Sequence, residues 1–246
     1  MKKILIAAPT ASAKKYCDRE WVDNIMLTEY DNFTIRLFDN TKDNGEYSKS
    51  LNDYYISKYG NDGRFECVKI DTFGLQDSII ARVCKGHNMA RDYALANGFD
   101  YLWHVESDIM PKNNVLQELI IHNKPIVGAL YYRDFGRHRR LMVQFRKFRS
   151  HNNIYTTNAD IYDDIDFVDG TLKEAAHIGL GCVLIRRDVL EKIPFRYVPG
   201  VEIFPDSFFA EDTYKHKYKI WADTSLICLH QNENWQLNVY NKDNKW

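Results

Sequence analysis

The chain has 246 residues, with 33 Lys plus Arg against 34 Asp plus Glu, for a formal charge of -1. That balance gives no global reason to expect nucleic acid, and 45% hydrophobic with 27% charged residues is the composition of a soluble globular chain with material for one α/β core. The five cysteines show no CxxC or Cys/His zinc spacing and read as reduced, buried thiols; no apolar run is long enough to cross a bilayer, so the expected location is cytoplasmic.

The start, MKKILIAAPTASA, superficially resembles a signal peptide, but its apolar core runs only from Ile4 to Ala8 before Pro9. A first strand, Lys3 to Ala8, explains it better. Small residues at its end (Ala7, Ala8, Thr10, Ala11) suit either a nucleotide base against the backbone or a tight turn. Ala13 to Glu29 suits a helix with Trp21 and Ile25 on its apolar face, and Phe33 to Phe38 a second strand running into Asp39. A helix over Tyr47–Lys58, a turn at 59–63 and a third strand over Phe65–Ile70 follow. Ser78 to Asn97 reads as a helix closed by Gly98.

The stretch FDYLWHVESDIMP, from Phe99 to Pro111, organises the rest. Tyr101 to Val105 is a short buried strand that ends in Glu106-Ser107-Asp108. In open α/β sheets ligands bind at the C-terminal ends of strands, and carboxylates at the rim of a buried strand are costly unless they meet water, a cation or a donor. A hard divalent ion carrying a phosphate would satisfy them, so the stretch reads as a metal–diphosphate platform. A helix over Val115–Ile121 and a strand over Lys124–Leu130 come next. The alternation of strand and helix predicts a parallel sheet with helical crossovers in a single domain.

From Phe135 the periodicity weakens. Arg137 to Arg140 form a basic cluster, Leu141 to Phe148 reads as a strand, and Ser150 to Asp169 as a polar flap or a solvated excursion. His177 to Ile185 is predicted as one strand with two glycines where something approaches the backbone, followed by a short helix over Arg186–Ile193. Phe204 to Phe209 reads as a loop, and Glu211-Asp212 as the opening of a helix through Lys217, where carboxylates also suit the helix dipole. Ile220–Asp223 and Ser225–Leu229 supply final strand material before His230.

In this order, KILIAAPT, LFDNTKDN, HNMARDYALANGFDYLWHVESDIMP, KPIVGALYYRD, HIGLGCVLIRRDVLEKIPF and FFAEDTYKHKYKIWADTSLICLH resemble glycosyltransferases of the GT-A fold, especially compact bacterial and viral members of the family-2 type. The resemblance covers most of the chain. A lone Glu-Ser-Asp triplet arises often by chance; several such blocks in the right order do not. It implies a Rossmann-like, mainly parallel sheet flanked by helices over 1–246, with 1–111 as the nucleotide-binding half and 112–246 as the acceptor-binding half.

The resemblance also implies roles. Glu106-Ser107-Asp108 corresponds to the family's DxD motif, departing at its first position. Asp108 is the expected direct ligand of Mn²⁺ or Mg²⁺, Glu106 a further ligand or a ribose contact, and His230 the family's C-terminal metal-binding histidine. Asp39 would receive the nucleobase, with Pro9 and Thr10 lining the same pocket. Arg82 and Lys85 could meet the diphosphate or be solvated helix charges. Gly179, Leu180 and Gly181 resemble the acceptor-side strand, where missing side chains admit a sugar or a packed helix. Glu211-Asp212 matches the family's ED pair, whose aspartate takes the proton of the acceptor hydroxyl in inverting members.

The activity so implied is metal-dependent transfer of a sugar from a nucleotide-sugar donor, by preference a UDP-sugar, to an acceptor that the sequence does not name: a glycan, a lipid-linked sugar, a protein or a modified nucleic acid. Two alternatives compete. A nucleotidyltransferase shares strand-end carboxylates but usually carries a Gly-rich phosphate loop after the first strand, and Ala7 to Ala13 contains no glycine. A catalytically silent sugar-binding module would tolerate Glu106 in place of Asp.

Overall fold

The computed structural model describes residues 1–72, 74–75, 78–135, 138–145 and 167–231, with residues 134, 135, 138 and 139 described by their backbone alone. Its first half alternates strand and helix as expected: β1 (Ile4–Thr10), α1 (Asp18–Met26), β2 (Phe33–Asp39), α2 (Glu46–Tyr59), β3 (Phe65–Lys69), α3 (Ile79–Ala96) and β4 (Tyr101–Val105). A two-residue strand, β5 (Ile109–Met110), precedes α4 (Val115–Ile121) and β6 (Ile126–Phe135). The second half adds β7 (His138–Leu141), β8 (Val143–Gln144), β9 (Leu172–Ala175), β10 (His177–Ile178), β11 (Cys182–Arg186), α5 (Arg187–Lys192), α6 (Pro205–Lys215) and β12 (Ile220–His230).

The main sheet runs β3-β2-β1-β4-β11-β6-β12-β5, with β7 on β6 and β9 on β12. The pairs among β3, β2, β1 and β4 are parallel, as is β6 with β12; β11 lies antiparallel to both β4 and β6. The sheet is therefore mixed: β3, β2, β1, β4, β6 and β12 share one direction, as the parallel expectation has it, while β11 in the middle and β5, β7 and β9 at the margins run against it. One apolar cluster covers one face, with Trp21, Ile25, Leu51 and Leu116 from α1, α2 and α4. The other holds Cys84, Ala90, Ala94, Val189 and Phe209 from α3, α5 and α6. β4 is buried over its whole length, which is why it reads as a mostly apolar run rather than an alternating one.

Several local expectations are corrected. The helix predicted over Ala13–Glu29 is a 3₁₀ turn (Ser12–Lys14) followed by a shorter α1, because the chain must turn back over the sheet edge before Trp21 can pack. The single strand predicted over His177–Ile185 is two: β10 pairs with β8, β11 enters the main sheet, and the glycine-bearing turn between them changes sheets. The two final strand pieces are one long β12, with a bulge between Asp223 and Ile227. Asp223 holds that bulge by accepting from the Ser225 amide (2.9 Å) and lying 2.7 Å from His122 Nε2.

The largest correction concerns Phe204–Phe209. That stretch is the first half of α6, so Glu211-Asp212 lie well inside the helix rather than opening it. Pro205 at its start has its φ preset and lacks only an amide the helix would leave unpaired, and Asp206 follows in the first turn. Of the basic cluster and flap, Arg137 and residues 150–166 lie outside the described residues, and Arg140 is half-buried in β7. All five cysteines are buried and unpaired. Among the described residues no helix is long and apolar enough to cross a membrane.

Candidate active site

Parallel pairing aligns the C-terminal ends of β1, β2 and β4, and the site is built there. Thr10 stands opposite Asp39 in the β1–β2 register, and Ala7 opposite His104 in the β1–β4 register. The loop leaving β4 thus falls beside the end of β1. Thr10 Oγ1 lies 2.9 Å from Ser107 Oγ and 3.1 Å from Tyr47 Oη, a buried hydroxyl chain tying both strand ends to α2. Pro9 lies against α3 at Gly86, where a Cβ would stand 2.9 Å from the proline ring; only glycine lets the helix cross this strand end so closely.

Asp39 is fully buried, and its Oδ1 accepts from the Thr41 amide at 2.8 Å. Its Oδ2 has no hydrogen-bond partner, the nearest cation being Lys69 at 4.0 Å. A buried acceptor left open in this way is costly, and a ligand's N–H would satisfy it. Of the two α3 cations expected at the diphosphate, Lys85 is engaged with the Asp71 carbonyl and Arg82 is half-buried in the first turn.

Asp108 is 1% exposed. Antiparallel pairing of β5 with β12 places His230 opposite Ile109, and the Gln231 amide donates to the Asp108 carbonyl at 2.8 Å. These backbone bonds bring together residues far apart in the chain: His230 Nε2 lies 3.2 Å from Asp108 Oδ2, while its Nδ1 is 2.9 Å from the Tyr132 carbonyl. Lys14, at the end of the 3₁₀ turn, places its ammonium on the same Oδ2. Burial alone would raise the Asp108 carboxyl, but the His230 hydrogen bond and the Lys14 charge outweigh it and hold it below its ordinary value. Asp108 Oδ1 has no partner.

Glu106 behaves oppositely: burial first, then the neighbouring Asp108 charge, push its carboxyl up to about 7. Among the described residues no three His, Cys, Asp or Glu side chains are grouped to hold a metal ion, so Glu106 does not join Asp108 and His230 in a three-residue cage. Two protein donors nevertheless suit a hard cation that takes its other ligands from phosphate and water. The open Oδ1, the imidazole nitrogen beside Oδ2 and the cation already resting on the carboxylate all match such an ion.

The turn between β10 and β11 closes the floor. His104 Nε2 is 2.8 Å from His87 Nδ1, and His104 Nδ1 bonds the Leu180 carbonyl. Burial lowers the His104 imidazole to about 4 and drives His87 well down, so both are neutral. At Gly179 and Gly181 the space a side chain would take is filled by Tyr131: its hydroxyl would lie 2.3 Å from a Cβ at 179, and its Cζ 2.4 Å from one at 181. That hydroxyl accepts from the Gly181 amide at 3.1 Å.

Glu211 and Asp212 are held by Arg196. Its Nε and Nη2 donate to the two Asp212 oxygens at 2.6 and 3.0 Å, Nη2 also reaches Glu211 at 2.6 Å, and Lys215 adds a bond to Glu211 at 2.7 Å. A different carboxylate of α6 stands nearer the strand ends. Asp206 is close enough for its charge to help raise Glu106, and its Oδ2 is 3.7 Å from His177 Nε2. His177 is 8% exposed with neither ring nitrogen hydrogen-bonded. Lys14, Asp206 and His177 were not singled out from the sequence. The Pro-Asp step at 205–206 was the available signal for Asp206, since it marks a helix start; nothing local marks the other two.

No protein-family model matches the chain, and neither does any curated protein. Solved structures do. The mannosyltransferase PcManGT from Pyrobaculum calidifontis, in complex with GDP-Man and Mn²⁺, superposes with a TM-score of 0.59 at 14% identity over 93% of this chain and 56% of its own. GalNAc-T7 with UDP, GalNAc and Mn²⁺ superposes with a TM-score of 0.60 at 12% identity over 97% of this chain and 45% of its own. The fold is GT-A. S. aureus TarS 1-349, in complex with UDP-GlcNAc, gives a TM-score of 0.55 at 13% identity over 94% of this chain and 59% of its own. The GT-A chain described here thus spans about half the length of these structures. At such identities the likeness extends to the fold alone.

Proposed function

We propose that this GT-A protein is a glycosyltransferase that moves a sugar from a nucleotide-sugar donor, a UDP-sugar by preference, to an acceptor hydroxyl with the aid of Mn²⁺ or Mg²⁺. The observation that carries the reading is the meeting of buried Asp108 with His230 at the C-terminal edge of β4, beside the Thr10–Ser107 pair and the open oxygen of Asp39.

In this reading Asp39 Oδ2 accepts from the nucleobase, and Pro9 and Thr10 bound its pocket. Asp108 and His230 would hold the divalent ion, which when bound neutralises charge on the departing nucleoside diphosphate. Glu106, whose carboxyl is pushed up, can donate to or accept from the ribose or sugar. An acceptor hydroxyl attacks the anomeric carbon, the bond from that carbon to the phosphate oxygen breaks, and a carboxylate takes the hydroxyl proton, inverting the configuration. Asp206 fits that last role better than Asp212: both Asp212 oxygens are already engaged by Arg196, whereas Asp206 Oδ2 faces His177 across a gap too long for a hydrogen bond. His177 would orient the acceptor hydroxyl from beside Asp206, with the hydroxyl bridging the two groups from the open side rather than lying between them. Five unpaired buried thiols support a reducing, cytoplasmic setting.

The test is a thermal-shift screen of nucleotide sugars with and without Mn²⁺, followed by donor hydrolysis with the best ligand. One nucleotide sugar should raise the melting temperature only when Mn²⁺ is present. If no nucleotide sugar shifts the protein under either condition, the reading falls.

A further inference from the structure

Asp108 lies where a divalent ion would sit, yet it already has a cation. Lys14 reaches it from the 3₁₀ turn directly after β1, with its ammonium on the same Oδ2 that lies 3.2 Å from His230 Nε2. The Lys14 side chain is 36% exposed and Asp108 is almost wholly enclosed, so the lysine stem enters from solvent and its charge ends at the site. The two facts need each other: a carboxylate buried to this degree without a countercharge would be strongly disfavoured.

We propose that Lys14 is a built-in competitor for the metal position, a placeholder cation that neutralises Asp108 in the metal-free protein and must leave Oδ2 before a divalent ion can bind. The inference rests on the glycosyl-transfer reading only for the identity of the ion. An ammonium and a divalent ion cannot share one buried carboxylate oxygen without strong repulsion, because Coulomb energy at such separations is not screened by bulk water. Divalent-ion binding by the free protein is then weak. It strengthens when a diphosphate arrives, since the phosphate oxygens give the displaced ammonium a new partner. Lys14 would thus couple metal binding to donor binding, with no contact of its own to the ion.

The experiment titrates Mn²⁺ alone, by calorimetry and by water-proton relaxation, into the wild-type chain and into Lys14→Met and Lys14→Arg, and repeats it with UDP present. Lys14→Met should bind Mn²⁺ about tenfold more tightly or better, and Lys14→Arg, which keeps the charge, should stay near wild type. UDP should strengthen Mn²⁺ binding in the wild type and do so less in Lys14→Met. If Lys14→Met binds Mn²⁺ no more tightly than wild type, or fails to bind it at all, the competition is overturned. Should Lys14→Met prove unstable for want of a countercharge, the added Mn²⁺ must rescue it, raising its melting temperature more than that of wild type; no rescue also overturns the proposal. Tighter Mn²⁺ binding in Lys14→Met with no effect of UDP on either protein would leave the competition standing and remove the glycosyl-transfer reading instead.

Discussion

Two carboxylate pairs with similar appearance in the sequence have opposite fates in the fold. Glu106 and Asp108 leave a buried strand and meet at a rim where Asp108 Oδ1 is unsatisfied and Glu106 is pushed towards neutrality. Glu211 and Asp212 sit midway along α6, face the half-exposed Arg196 and Lys215, and have their oxygens engaged. The first pair has unused bonding capacity; the second has spent its own on structure. An open buried oxygen needs a ligand, whereas a paired surface carboxylate holds elements together, here α6 to the loop after α5. Chemical type alone does not separate the two cases; what surrounds each oxygen does.

The comparison can be broken most sharply at Asp108. Asp108→Ala should lower Mn²⁺-dependent donor turnover by about 10³-fold or more while circular dichroism stays native, in line with the loss of a group that positions charge stabilisation. Full turnover in that variant would refute a metal role. Next in size, Asp206→Asn should cut transfer by about 10²-fold or more with donor binding retained, while Asp212→Asn leaves the rate nearly intact. The reverse outcome, measured as initial rates at saturating donor, would return the base to Asp212.

Beneath the site, the neutral His87–His104 pair predicts a pH effect on stability. The unfolded chain protonates this imidazole near 6.5, the folded one near 4. Between those values the unfolded state binds more protons, so the contribution of this pair is full above pH 6.5 and falls by a few kcal/mol as pH is lowered through that window, while Glu106, raised from 4.5 to about 7, contributes with the opposite sign over its own window. Urea midpoints of wild type and His104→Gln compared across that range isolate the histidine part: the difference between the two proteins should change by a few kcal/mol between pH 6.5 and 4, and a constant difference would remove the buried neutral imidazole. Gly181→Ala, which sets a Cβ 2.4 Å from Tyr131 Cζ, should cost about 1–3 kcal/mol in denaturant unfolding. The smallest effect belongs to the second carboxylate pair: Asp212→Asn should lose about 1 kcal/mol, a melting-temperature change of about 2–4 °C.

Much of the architecture was legible in the residues. β4 was readable because five consecutive buried positions leave a mostly apolar run, and α3 because Ser78 caps it by accepting from the Ala81 amide at 3.1 Å while Gly98 takes the left-handed turn after it. Other elements were not. α6 was misplaced because its first turn is aromatic and loop-like in composition, and the Pro205-Asp206 start signal is short. The two glycines at 179 and 181 signalled a close approach without saying by what; the occupant, Tyr131, comes from β6, some fifty residues earlier.

By itself the sequence determined the alternation of strands and helices and the direction in which β4 delivers Glu106 and Asp108, since each depends on local pattern and near-neighbour chemistry. Only the tertiary structure decided which charges meet. Lys14, Asp108 and His230 come together because β1 lies beside β4 and the end of β12 pairs with β5, and Arg196 rather than solvent meets Asp212. Which oxygens are left open is a property of long-range register, and register is set by burial of the whole sheet rather than by any one segment.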